Sequence, residues 1–318
     1  MVTGPPSDAE RVAALRELLP ATGAGIYLDT ATRGPLPAEA AEAMREAFEW
    51  DIRVGRVAPG REEDLAQRGA ETRAVVAAVL GATDPDAIVL THGLGDALEL
   101  ARRAVGEEAA VHHVDPVSGA LVGTGGVRVL DASLSIGALP LNVEQLDADA
   151  AVVAGDRWLL GPEGIGALWL RDGGRARALP ERELSRQLLL GLARSVGWLA
   201  MFVGLEWAHS RTAALAARLA AGLENAEGVE MVTPSPPPAA IVSFRLSNWP
   251  AEDAADELNH RTQALTRPLA GPDIVRASVA WFNTEAEIDR FAEAVAELGR
   301  HTAETLPRRP RLVVLQGG

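Results

Sequence analysis

The types of side chain present limit this protein's chemistry before their positions do. The 318-residue sequence has no cysteine, and all 30 of its basic residues are arginine. Without cysteine there is no disulfide, thiolate nucleophile or Cys-ligated zinc. Without lysine no side-chain amine can form a Schiff base, because a guanidinium stays protonated and is not a nucleophile. The six histidines are His92, His112, His113, His209, His260 and His301. His112 and His113 are adjacent on an expected strand, so they face opposite sides and cannot chelate one ion together. No His-x-x-x-His pair, carboxylate-rich metal loop, Gly-x-Ser-x-Gly elbow or Ser-His-Asp arrangement is recognisable. These residues therefore suggest neither a metal site nor a nucleophile.

Composition narrows the field further. The chain is 47% apolar and 23% charged, with a net charge of −14, which suits a folded protein with a large core. The acidic balance argues against a general binder of nucleic acid or anionic membrane. Residues 1–10 are proline-rich and acidic, unlike a secretory signal. The most apolar window, 196–207, reads as a core or interface helix too short to span a bilayer. A cytoplasmic location is the expectation.

The elements that must position any site follow from apolar periodicity. Segments 8–19, 38–50 and 62–80 read as helices. Short β-rich runs at 87–91, 110–114, 127–130, 150–153 and 167–170 suggest a mostly parallel sheet covered on both faces. A long helical stretch, 184–223, is expected to break near 195–197. A smaller unit follows the proline-rich turn at 233–238, with strands at 240–246 and 274–279 and helices at 251–265 and 284–298. Thr284 and Glu287 have the spacing of a capping box. The expected organisation is an N-terminal helical arm (1–20), a large α/β domain (21–205), a small α+β domain (206–307) and a tail (308–318). Strand 312–315 and the terminal Gly317-Gly318 belong to that tail.

Two stretches resemble the class V aminotransferases, the family of cysteine desulfurases and isopenicillin-N-epimerase-like proteins. They are Asp131-Ala-Ser-Leu-Ser-Ile-Gly-Ala-Leu-Pro-Leu and Ala154-Gly-Asp-Arg-Trp-Leu-Leu-Gly-Pro-Glu-Gly-Ile-Gly. Tyr27-Leu-Asp-Thr-Ala and Val275-Arg-Ala-Ser-Val-Ala-Trp-Phe-Asn-Thr-Glu fit the same family, in the same order along the chain. The resemblance implies the fold-type-I arrangement of pyridoxal-phosphate (PLP) enzymes: a large α/β domain and a small C-terminal α+β domain. A carboxylate at a strand end and a glycine-rich turn before a helix agree with it.

The same resemblance assigns roles position by position. Asp131 corresponds to the acid that keeps the pyridine nitrogen of PLP protonated, or else caps the turn after its strand. Arg157 stands where the family has its Schiff-base lysine. Gly93 and Gly95 fall in the phosphate turn, here Gly93-Leu94-Gly95-Asp96, where a hydroxyl is missing and Asp96 is expected to repel a phosphate. The same turn also suits a plain strand-to-helix connection. Ser133 stands where the family often has Gln or His near the ring oxygen. His113 falls in a stretch similar to the family's Ser-His-Val…Thr-Gly segment.

Arg276 corresponds to the arginine that grips a substrate carboxylate, or is a structural partner of Asp273 or Glu285. Between Leu100 and His112 the family normally has further strands and helices, so the large domain is expected to be shortened. The resemblance thus implies a homologue with no catalytic residue for covalent PLP chemistry. A non-covalent site for PLP or pyridoxamine phosphate is the alternative. The implied partner is a second copy or a class V aminotransferase-like paralogue, with Trp198, Met201, Phe202 and Trp207 on a core or interface face.

Overall fold

The computed structural model describes residues 7–106, 109–180 and 182–307, so the expected strand at 312–315 and Gly317-Gly318 lie outside the described residues. In chain order the elements are α1 (Asp8–Glu17), β1 (Ile26–Tyr27), α2 (Ala38–Val54), α3 (Arg61–Leu80), β2 (Ile88–Thr91), α4 (Gly93–Val105), β3 (Val111–His112), β4 (Val129–Asp131), β5 (Ala150–Ala154) and β6 (Gly166–Leu170). There follow α5 (Gly173–Ala178), α6 (Arg186–Trp198), α7 (Leu205–Leu223), β7 (Val229–Met231), β8 (Ile241–Leu246), α8 (Ala251–Thr262), β9 (Ala264–Leu265), β10 (Arg267–Leu269), β11 (Ile274–Ser278) and α9 (Glu285–Gly299).

The large sheet has the order β2-β6-β5-β4-β3. β3, β4 and β5 are parallel neighbours, whereas β6 runs against both β5 and β2. β5 shows why its sequence is apolar throughout. Ala150 and Val152 pack on one face with Leu100 and Ala101 of α4, while Ala151 and Val153 pack on the other with Val76 of α3 and Leu192 of α6. A strand covered on both faces has no polar alternation to show. α4 ends at Val105 and β3 opens at Val111, in keeping with the expected shortening.

The second sheet, β10-β11-β8-β7, is antiparallel and packs beneath α7, α8 and α9. Phe244 of β8 and Phe291 of α9 meet edge to face inside that core, with ring centroids 6.3 Å apart. Ile26 and Leu28 join the same core, because β1 pairs in parallel with β9. Thus the segment entering the large unit is anchored on the small one. The Thr284–Glu287 capping box is present.

Three expectations need correction. The long helix is interrupted not at 195–197 but by a π-helical segment, Leu199–Gly204, which ends in Gly204 at φ 81°. The whole stretch Arg186–Leu223 is long and apolar enough to cross a membrane by length and composition, and 44% of its apolar window is buried within the fold. Its aromatic face is divided: Trp198 and Trp207 pack on Trp281, while Met201 and Phe202 are exposed. Finally, the helix expected over 251–265 stops at Thr262. Gln263 takes a left-handed conformation and Ala264–Leu265 turns into β9.

Candidate functional site

The expected site residues gather at the carboxyl ends of the parallel strands, where open α/β sheets place their ligands. β2 delivers Gly93 and Gly95 at the start of α4, β3 ends in His112, β4 ends in Asp131, and the turn after β5 carries Arg157. Arg276 comes from β11 of the other sheet.

Asp131 is almost fully buried, and its partner is His112. The two residues are register partners across β3 and β4, which places both side chains on one side of the sheet. His112 Nδ1 lies 3.0 Å from Asp131 Oδ2, while Asp131 Oδ1 accepts the N–H of Ser133 at 2.9 Å. Burial alone would raise the Asp131 carboxyl. The His112 and Ser133 hydrogen bonds outweigh it and hold the group below its ordinary value. Reciprocally, the Asp131 hydrogen bond raises the His112 imidazole above its ordinary value. Each group thus favours the charged form of the other, with Asp131 at the back and a half-exposed ring in front.

The remaining residues near Asp131 are committed elsewhere. Ser133 Oγ accepts the N–H of Ala154 at 3.0 Å, closing the end of β5. His113 points to the opposite side and shares a 2.7 Å hydrogen bond with Ser135, and burial lowers its imidazole. Asp96 is paired with Arg182 through both carboxylate oxygens and also accepts the N–H of His92 at 3.0 Å. Its charge is thereby neutralised, so the expected repulsion of an anion at the turn is offset by Arg182. The space beside Gly93 and Gly95 is open.

Arg157 sits on a rigid turn. Its carbonyl accepts the N–H of Leu160, which adopts φ 55°, an uncommon conformation for leucine. Gly34 packs against this turn so closely that a Cβ there would lie 2.3 Å from the Arg157 carbonyl oxygen. The half-buried guanidinium makes no hydrogen bond or ion pair among the described residues. Its charge opposes protonation of His112 and Arg276 and favours the Asp156 carboxylate beside it in sequence.

Arg276 does not pair with Asp273 or Glu285. Asp273 caps Ala251, and Glu285 pairs with Arg211. Instead, Arg276 Nη2 donates to Thr32 Oγ1 at 2.8 Å and lies 3.5 Å from Asp29 Oδ1, while Nη1 donates to the Pro116 carbonyl at 3.1 Å. Its Nε is buried without an acceptor. One guanidinium thus ties β11 to the 29–34 loop and to the segment after His112. Arg157 acts electrostatically on both His112, the partner of Asp131, and Arg276, so these groups share one charged neighbourhood. His112 is the residue that sequence reasoning missed. Its adjacency to His113 was visible, but its register opposite Asp131 was not. A cavity of about 730 Å³ lies elsewhere, lined by Ile136, Leu141, Leu205, His209 and Pro238 among others, and none of these site residues lines it.

Comparison with known proteins agrees with this architecture. The aminotransferase class-V family model matches residues 26–118 and 110–181, two pieces that overlap at 110–118. A probable cysteine desulfurase of Xylella fastidiosa (strain Temecula1) is 25% identical over 206 residues, covering 54% of this chain and 49% of its own. The isopenicillin N epimerase of Amycolatopsis lactamdurans is 29% identical over 216 residues, covering 55% and 53%. The chain thus spans about half the length of these curated relatives.

Among solved structures, the apo cysteine desulfurase from Thermococcus onnurineus NA1 superposes with a TM-score of 0.78 at 20% identity, covering 91% of this chain and 98% of that one. The cystine C-S lyase C-DES, complexed with its product cysteine persulfide, also gives 0.78, at 17% identity with 87% and 99% covered. Fold and motifs together define a PLP-dependent-transferase-like protein of fold type I. The chain is a relative of the class V aminotransferases.

The residues present do not fit PLP as that fold ordinarily holds it. No lysine can make the covalent link, and the carboxylate suited to a pyridinium nitrogen is already bonded to His112. The free backbone donors at the start of α4 supply neither function.

Proposed function

We propose that this chain is a non-catalytic homologue of the class V aminotransferases, acting as a partner or regulatory subunit and carrying no covalent PLP. The observation that supports this most strongly is Arg157 at the Schiff-base position of a chain with no lysine. A guanidinium cannot take over the amine's nucleophilic role. The Asp131–His112 pair supports the same reading, since the acid that would tune a cofactor ring is satisfied internally. Partnership rests on the fold: a subunit without its own chemistry can complete or modulate a lysine-bearing one, and a second copy of the chain is the simplest partner.

Arg157, which makes no side-chain hydrogen bond or close ion pair among the described residues, favours a second reading, that the chain binds a small molecule here. Non-covalent PLP or pyridoxamine phosphate would share Asp131 with His112, whereas an amino-acid-like anion would leave that pair untouched. The functional test is co-expression with a lysine-bearing class V aminotransferase from the same genome, followed by native mass spectrometry and desulfurase or transaminase assays. The expected result is a mixed oligomer with altered turnover, and no turnover by the chain alone with added PLP. Turnover by the chain alone would overturn the reading.

A further inference from the structure

The pocket of about 730 Å³ lies between α7 and the loop after β4, where the large unit, the connecting helix and the proline-rich turn of the small unit meet. Its size and its place between units are those of small-molecule sites. One wall is a single face of α7: Leu205, His209 and Ala213 recur at four-residue spacing, with Glu206 and Ser210 beside them. The opposite wall is the 136–142 loop, which supplies Ile136, Leu139 and Leu141. Val79, near the end of α3, and Pro238 complete the enclosure.

Both walls are fixed by the fold itself. The loop turns on hydrogen bonds from the Ala138 and Leu139 N–H groups to the Ser135 carbonyl. Gly137, at φ 85°, packs so closely on the 157–160 turn that a Cβ would lie 2.5 Å from the Trp158 carbonyl oxygen. Further on, Glu144 accepts the Thr83 N–H at 3.1 Å and its hydroxyl at 3.2 Å, which ties the loop to the exit of α3. α7 is held by Arg211, which donates to the Trp281 and Asn283 carbonyls and pairs with Glu285. Walls already in place leave little ordering cost for a ligand to meet.

The lining also selects a chemistry. Among the described residues that line the pocket there is no arginine, Glu206 is the one carboxylate, and burial lowers the His209 imidazole towards its neutral form. An anion would meet no fixed cation there and one like charge. An apolar body, by contrast, meets leucine, isoleucine, valine and proline side chains on every side. Gln145, Glu206 and Ser210 are exposed and form a polar rim. His209 Nε2 is shut from solvent without a hydrogen-bond partner. An orphaned nitrogen of this kind costs about 1–3 kcal/mol, and a turn of the ring about its Cβ–Cγ bond would bring it to a hydrogen-bonding group in the pocket.

We propose that this pocket binds a neutral, mainly apolar small molecule carrying one hydrogen-bonding group, which seats on His209. Place and chemistry both set it apart from the residues discussed above: none of His112, Asp131, Arg157 and Arg276 lines it, and its walls do not suit a phosphate or an amino-acid carboxylate. It stands whether or not the chain is catalytic.

The test applies a matched pair of fluorescent probes to the full chain: neutral N-phenyl-1-naphthylamine, which has one N–H, and its sulfonated analogue 8-anilinonaphthalene-1-sulfonate. The neutral probe is expected to bind saturably at one site per chain. The sulfonate is expected to bind at least about tenfold more weakly, because its charge must be desolvated beside apolar walls and Glu206. Ala213→Trp fills the pocket from an exposed position of α7 and should abolish saturable binding while the circular dichroism and melting stay those of the parent. His209→Phe keeps a ring but loses the nitrogens, and should weaken the neutral probe about threefold or more. Phe202→Ser removes an exposed aromatic outside the pocket and should change nothing. No saturable binding, tighter binding of the sulfonate, or full binding in Ala213→Trp or His209→Phe overturns the proposal. So does probe emission per chain that falls as chain concentration rises, which would show a second copy of the chain covering the pocket.

Discussion

His112 donates to Asp131 across adjacent parallel strands, Nδ1 to Oδ2 at 3.0 Å, with the carboxylate buried and the imidazole half-exposed. The relationship turns an acid suited to a cofactor ring into the holder of a histidine. It also makes the site sensitive to pH from two directions.

The first prediction concerns stability against pH. The His112 pKa is raised by folding, so its contribution is fully present below its unfolded value of about 6.5 and is lost as pH rises through the folded value. The Asp131 pKa is lowered, so its contribution is present above its unfolded value of about 3.9 and lost as pH falls through the folded one. The difference in Tm between the parent chain and His112→Gln should therefore be largest between these limits and shrink on the alkaline side. Thermal melts across that range measure it, and a difference that grows with alkalinity would contradict the assignment.

Gly34→Ala should destabilise the chain by about 1–3 kcal/mol, because an added Cβ meets the Arg157 carbonyl at 2.3 Å in a turn with no room to give. Urea unfolding gives the magnitude. An unchanged midpoint would mean that the turn carrying Arg157 is softer than its geometry indicates.

Trp281→Ala should cost about 3–5 kcal/mol, since the ring packs between Trp198 and Trp207 and against Phe282. The loss should appear as a lower denaturation midpoint with the same urea dependence.

Arg276→Met should loosen the junction between the two sheets, leaving the part-buried Pro116 carbonyl and the Asp29 carboxylate short of a donor, at about 2–4 kcal/mol. Hydrogen exchange should rise in 29–34 and 112–118 while the α7–α9 core stays protected. Uniform loss of protection would show that the tie is not local.

Much of this architecture could be read from residue pattern. The doubly covered strands announce themselves as unbroken apolar runs, as in β5, and the capping box at Thr284 marks the start of α9. The motifs around Asp131 and Arg157 that resemble the class V aminotransferases carry the fold as well. Short pairings stayed hidden because they are made by distant partners: β1 exists only through β9, and β10 only through β11. The partner of Asp131 was hidden for the same reason, since register between β3 and β4 is a tertiary fact. Arg276 was recognised as important, yet Asp29 lies far from it in sequence and nearer acids at 273 and 285 drew attention. The exposure of Met201 and Phe202 beside the buried Trp198 follows from the π-helical segment, which rotates the face of the helix in a way no regular periodicity encodes.

The most direct test of the account is addition of PLP to the purified chain, followed by borohydride reduction and peptide mapping by mass spectrometry. The central claim predicts no reduced adduct on any internal peptide, including the one containing Arg157, with the chain still folded by circular dichroism. A reduced pyridoxyl adduct mapped to an internal residue would contradict it.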